Sequence, residues 1–145
     1  LNIGIGYTLP FETFAAEWID ADALKDELDS YRLPGTAFRT IHYKPIAGSS
    51  QGKLIHGVQY FFTDYSAACI SLTQFYVMQA LHRLYPGRDP FKMAAGRTAM
   101  FDKICGTDYV RKTFSKMLEV SDIVDYWNKD VEDFRTLSSK YHLYK

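Results

Sequence analysis

Four histidines, two cysteines and a scattering of carboxylates are the groups in this chain with the chemistry to hold a metal, attack a carbonyl or move a proton. His42, His56, His82 and His142 stand far apart. They show neither the His-x-x-x-His spacing that sets two imidazoles on one helix face nor an accompanying Cys-x-x-Cys pair. No metal and no cofactor are expected. A Gly-x-Ser-x-Gly elbow, which would expose a nucleophilic serine, is missing as well. Cys69 and Cys105 have no neighbouring cation to lower a thiol pKa. They read as one disulfide or two buried thiols, and their apolar neighbours favour the thiols. Gly4-Ile5-Gly6-Tyr7-Thr8 has the look of a phosphate cradle but lacks the Gly-Lys-Ser/Thr ending and the third glycine of a dinucleotide loop.

Glycoside hydrolysis needs two carboxylates facing each other across a sugar-binding cleft. Most acids here lie on stretches with helical spacing, such as Asp22, Asp26 and Glu27 or Asp130, Glu132 and Asp133, and read as solvated surface. Glu12 and Asp64 are the exceptions and stand as possible cleft acids. Asp64 suits a turn cap better. No catalytic residue is assigned within these 145 residues.

Polar groups around two apolar stretches form a third pattern. Arg39 interrupts one stretch, His42 follows, and His56 and Gln59 flank the start of the next. In a strand, alternate residues share a face, so Gln59, Phe61 and Thr63 oppose Val58, Tyr60 and Phe62. If one face packs on helices, the other presents an amide beside an aromatic ring. Convergent polar groups next to rings are what saccharide sites use. The competing reading is a half-buried strand whose Gln59 satisfies neighbouring backbone.

Several elements must position these groups. Residues 1–20 have no clean period and read as irregular. Asp20 caps a helix over 21–30, with Leu24 and Leu28 on one face. Leu33-Pro34-Gly35 stops it. Strands follow over 37–43 and 57–63, joined by a loop over 44–53 that is rich in Gly and Ser. Ser71 or Thr73 caps a helix reaching Tyr85, which Pro86-Gly87 ends. Residues 88–96 read as a loop. A short helix over 101–105 closes at Gly106, and Thr107 caps another over 108–117. Ser121 caps a last helix over 122–138, with Ile123, Trp127, Val131 and Phe134 on one buried face. Residues 141–144 are expected to add an edge strand. Strands early and helices late point to an α+β fold, a small mixed or antiparallel sheet packed by helices mostly from the C-terminal half, forming one domain over 1–145.

Composition narrows the function classes. The 17 basic and 17 acidic residues cancel, so the basic excess of a non-specific nucleic-acid binder is absent. Apolar residues make up 47% of the chain, enough for a core, and no run nears the roughly 18 residues of a membrane span. The start at Leu1-Asn2-Ile3-Gly4 reads as the middle of a longer chain.

An ordered set of short stretches now has a match. Thr8-Leu9-Pro10-Phe11-Glu12, Glu17-Trp18-Ile19-Asp20-Ala21, Leu33-Pro34-Gly35, Phe38-Arg39, His56-Gly57-Val58-Gln59, Thr63-Asp64, Leu84-Tyr85-Pro86, Gly106-Thr107-Asp108 and Trp127-Asn128-Lys129-Asp130 occur in sequence. Together they resemble the C-terminal domain of the bacterial exo-β-N-acetylmuramidase family, over nearly the whole chain. The resemblance implies an ancillary domain that walls the cleft of a peptidoglycan-processing hydrolase. It implies as partners a Rossmann-like N-terminal domain of the same chain, carrying the catalytic acids, and a peptidoglycan-derived saccharide with a terminal N-acetylmuramic acid. It also implies a periplasmic or secreted location. Of the family's polar positions, Thr8, Arg39, His56 and Gln59 are present and are expected to face substrate. The family's Gly-Arg-Gly-Thr appears as Gly4-Ile5-Gly6-Tyr7, its Gln-x-His as Gln59-Tyr60-Phe61, and its Pro-Thr-Phe-Ser-Lys as Pro45-Ile46-Ala47-Gly48-Ser49. These departures mark a divergent subgroup. The alternative is a non-catalytic module that binds glycan or protein.

Overall fold

The computed structural model describes residues 1–94 and 96–144. Within the stretch read as one domain it forms two compact units, Leu1–Arg88 and Asp89–Lys145.

The first unit is built on a three-stranded antiparallel sheet in the order β1-β3-β2, with β1 Thr13–Ala16, β2 Thr36–Tyr43 and β3 Ile55–Phe62. The fold is α+β, as expected, and the sheet is antiparallel throughout. β1 lies in the segment read as irregular. Its four residues carry no visible alternation, and it becomes a strand by pairing Thr13 with Gln59 and Ala16 with His56 on β3. The central strand thus has Gln59 opposite both Thr13 and Arg39.

One sheet face is the core side. Val58, Phe38 and Ala16 cluster there with Leu24 and Leu28 of α1 (Ala21–Ser30) and with Val77, Ala80 and Leu81 of α2 (Thr73–Leu84). Full burial of an aliphatic side chain is worth about 1.5–3 kcal/mol, so this cluster is what fixes the sheet against its helices. Asp20 caps α1 as expected, its Oδ1 accepting from Asp22 N at 3.0 Å and Ala23 N at 3.1 Å. Neither Ser71 nor Thr73 is the cap of α2. A tight helical turn over Ile70–Leu72 leads in, the cap position is Leu72, and the Thr73 hydroxyl donates back to the Cys69 carbonyl. The preceding turn supplies what a capping side chain would have supplied.

Gly57 of β3 stands opposite Ala15 of β1. A Cβ there would lie 2.0 Å from the Phe14 carbonyl oxygen, so only glycine fits.

The second unit is helical: α3 Pro90–Met93, α4 Thr98–Cys105, α5 Tyr109–Phe114, α6 Val124–Asn128 and α7 Val131–Ser139. Residues 88–96 were expected as a loop, yet Asp89 Oδ1 accepts from Phe91 N and Lys92 N, and Pro90 fills the first helical position. Ala95, within that stretch, lies outside the described residues. Gly106 closes α4 in the left-handed region at φ 71°, as expected. Asp102 and Arg111 tie α4 to α5 through paired bonds of 2.7 and 2.8 Å. The single long helix expected over 122–138 is instead a turn over Val120–Asp122 followed by α6 and α7. The break resets the helical phase, so Ile123 is buried while Phe134 is 66% exposed. Residues 141–144 form no strand, and their side chains are exposed.

Candidate functional site

The sheet face opposite α1 and α2 carries two of the groups singled out by pattern, Arg39 and Gln59. Gln59 projects from the middle of the central strand and is 7% exposed. A buried amide needs partners for both of its ends. Arg39 Nε donates to Gln59 Oε1 at 2.6 Å, and Gln59 Nε2 donates to Glu12 Oε2 at 2.9 Å. A guanidinium has only donors and a carboxylate only acceptors, so the two charges dictate which way the amide points. The result is a fixed relay, Arg39–Gln59–Glu12, running across the strands. Gln59 satisfies side chains, not backbone. Both ends of the relay are exposed.

Phe61, two residues along β3 on the same face, is 42% exposed, the ring beside an amide that alternation predicts. Towards the strand ends this face is closed by Tyr43, whose hydroxyl bonds Thr13 Oγ1 at 2.8 Å and donates to Asn2 Oδ1 at 2.9 Å. Tyr7 stacks on Tyr43 with ring centroids 4.2 Å apart.

Phe11 is a residue that pattern reading missed. It adopts φ 63° without being glycine, and its side chain is largely exposed. Such a conformation costs of order 1–3 kcal/mol and persists only where neighbours enforce it. Ile3 O accepts from Phe11 N at 2.7 Å, and the Tyr60 hydroxyl donates to Phe11 O. Phe11 helps line a cavity of about 260 Å³ with Phe14, Tyr60, Ile70, Ser71 and Gln74. Burial, with the nearby Glu12 charge, pushes the Tyr60 phenol above its ordinary pKa. Glycine can announce a positive φ but phenylalanine does not, so nothing in the one-dimensional pattern marks Phe11.

The remaining predicted groups are dispersed. His56 lies on the other sheet face from Gln59, in register with His42, and the two Nδ1 atoms are 2.7 Å apart. One imidazole must donate and the other accept, so the pair is a cross-strand lock separate from the relay. Thr8 is exposed in the N-terminal segment. Asp64 spends its carboxylate on a turn: Oδ1 accepts from Ser66 N at 2.9 Å, Ser66 Oγ at 2.6 Å and Ala67 N at 3.3 Å.

These bonds, the Ser66 hydroxyl first, hold the Asp64 carboxyl below the usual carboxylate range. A group whose folded pKa is depressed adds stability above its unfolded value and loses it as pH falls through the folded value. An NMR titration should therefore place the Asp64 midpoint below that of an ordinary aspartate. Ser66→Ala should move it up, and an unchanged midpoint would refute the turn's geometry.

Glu12 and Asp64 thus serve different hydrogen-bond sets. Among the described residues no group of three or more His, Cys, Asp or Glu is arranged to hold a metal ion. Both cysteines are free thiols, but Cys69 is exposed, against the expectation of burial, because it sits in the link before the turn leading into α2. Burial, with the Asp102 charge nearby, raises the Cys105 thiol pKa and so disfavours the thiolate. No helix among the described residues is long and apolar enough to cross a membrane. The relay sets an oriented guanidinium and a fixed amide on the same sheet face as the exposed Phe61 ring.

Comparison with known proteins places the chain in a family. Residues 1–144 match the family described as exo-beta-N-acetylmuramidase NamZ, C-terminal. The chain is 33% identical over 144 residues to the peptidoglycan beta-N-acetylmuramidase NamZ of Bacillus subtilis, covering 99% of this chain and 34% of that protein. It superposes on the crystal structure of a DUF1343 family protein from Bacteroides fragilis with a TM-score of 0.94 and 45% identity, covering 99% of this chain and 38% of the other. The chain therefore spans about a third of the length of each relative. Matched over residues 1–144 by the family model and 33% identical to a member across 99% of its length, this chain belongs to the family of NamZ exo-beta-N-acetylmuramidase C-terminal domains.

Proposed function

We propose that this chain is the ancillary, substrate-orienting domain of a peptidoglycan-processing glycoside hydrolase that removes a terminal N-acetylmuramic acid residue. The observation that carries this reading is the Arg39–Gln59–Glu12 relay, which holds polar groups in fixed directions on an open sheet face beside Phe61. In this reading that face forms one wall of the saccharide cleft. Arg39 and Gln59 order the sugar, Thr8 acts at the margin, and His56, on the opposite sheet face, takes no part. Glu12 aligns the relay and does no proton transfer. The catalytic carboxylates come from a preceding domain of the same polypeptide, in keeping with relatives about three times the length of this chain. A cell-wall substrate places the protein in the periplasm or outside the cell.

A chromogenic N-acetyl-β-muraminide tests the reading. The full-length protein should release the chromophore and residues 1–145 alone should not. A full-length protein inactive on every muramic-acid glycoside would refute it.

A further inference from the structure

We propose that Arg39 is the specificity residue for a carboxylate on the sugar, reading the lactyl group that distinguishes a muramic-type residue from plain N-acetylglucosamine. This rests on the reading that the relay face meets the saccharide, and it names what that face selects. A guanidinium carries five N–H donors in a planar fork, and Arg39 commits only Nε, to Gln59. The Nη1/Nη2 edge has no partner among the described residues. That edge has the geometry for bidentate capture of a carboxylate.

The choice of partner matters as much as the open edge. Arg83, Arg111 and Arg135 each face a carboxylate, which neutralises them. Arg39 is held instead by a neutral amide, so it is oriented without being neutralised. Glu12, the relay's one anion, binds the far nitrogen of that amide and sets its direction. The carboxylate is the only ionised group on N-acetylmuramic acid, and it is absent from N-acetylglucosamine. A cation oriented by a neutral amide, with no carboxylate bonded to it directly, is the group that tells the two apart. Phe61, exposed on the same face, gives the sugar's C–H face a ring to rest on.

The test uses the full-length protein and two substrates, a chromogenic N-acetyl-β-muraminide and its carboxyl methyl ester, which differ by one charge. Wild type should favour the acid by about 10- to 100-fold in kcat/KM, the scale of a charge-assisted hydrogen bond. Arg39→Met should bring the ratio near one, chiefly by raising KM for the acid, and Arg39→Lys should restore part of it. Arg39 is exposed, so the variants should fold, and circular dichroism checks this. If Arg39→Met lowers both substrates equally and keeps the ratio, Arg39 holds protein instead of sugar and the proposal falls. A wild type that is active but indifferent to the ester overturns the proposal while leaving the wider reading intact. A wild type inactive on both overturns both.

Discussion

Replacing Gly57 by alanine should destabilise the first unit by on the order of 3 kcal/mol, because the new methyl would collide with a backbone oxygen. The Cβ position lies 2.0 Å from the Phe14 carbonyl oxygen and 2.7 Å from the Ala15 Cα, and neither can move without parting β1 from β3. A flexible side chain could swing aside, but strand backbone cannot. Urea denaturation should show the midpoint falling by roughly 1–3 M with an unchanged slope, taking typical slopes for small proteins. Gly87→Ala is the control. Nothing lies within 4 Å of its would-be Cβ and its φ is not positive, so it should change stability by less than about 0.5 kcal/mol. Equal effects at the two positions would contradict the close approach of the strands.

Gln59→Leu should do the opposite: little to stability, much to recognition. Leucine fills a similar volume in a buried position, and water can solvate the exposed ends of Glu12 and Arg39 once the bridge is gone. Stability of the full-length protein should stay within about 1 kcal/mol. Arg39, no longer held at Nε, should bind substrate less well, raising KM about 10-fold with little change in kcat. A large loss of stability with unchanged KM would mean that the relay serves only the fold.

Much of this architecture follows from local physics and was therefore readable along the chain. Asp20 followed by Leu24 and Leu28 specifies a cap and one buried face, and α1 has both. The alternation about Gln59 correctly separates the Val58–Tyr60 side, which packs on helices, from the Gln59–Phe61 side, which does not. Features set by long-range contact were not readable. Thr13-Phe14-Ala15-Ala16 is a strand only because β3 accepts it, and the strain at Phe11 comes from Ile3 and Tyr60. The division of the final helix into α6 and α7 also escapes, since its apolar spacing runs on unbroken through Lys129 and Asp130 while the backbone does not.

At the site, Arg39 and Gln59 stood out as polar interruptions of apolar strands, and they do meet. Glu12 stood out for lying off any helix face, yet its partnership with Gln59 required the unrecognised β1 to bring residue 12 beside residue 59. His56 was placed with Gln59 by closeness in sequence, but three residues apart on a strand is an odd step, and it falls on the opposite face.

The central claim is that this domain contributes recognition and leaves bond cleavage to carboxylates elsewhere. The direct measurement is kcat of the full-length protein carrying Glu12→Gln and Asp64→Asn together, on a chromogenic N-acetyl-β-muraminide at saturating substrate. Both changes remove the charge and keep the shape. The account predicts kcat within about 10-fold of wild type, with KM raised through loss of the Glu12 end of the relay. Removing an essential acid, base or nucleophile costs about 100- to 10,000-fold or more. A fall in kcat of that size, in a variant that still binds substrate, would place catalysis within this chain and contradict the account.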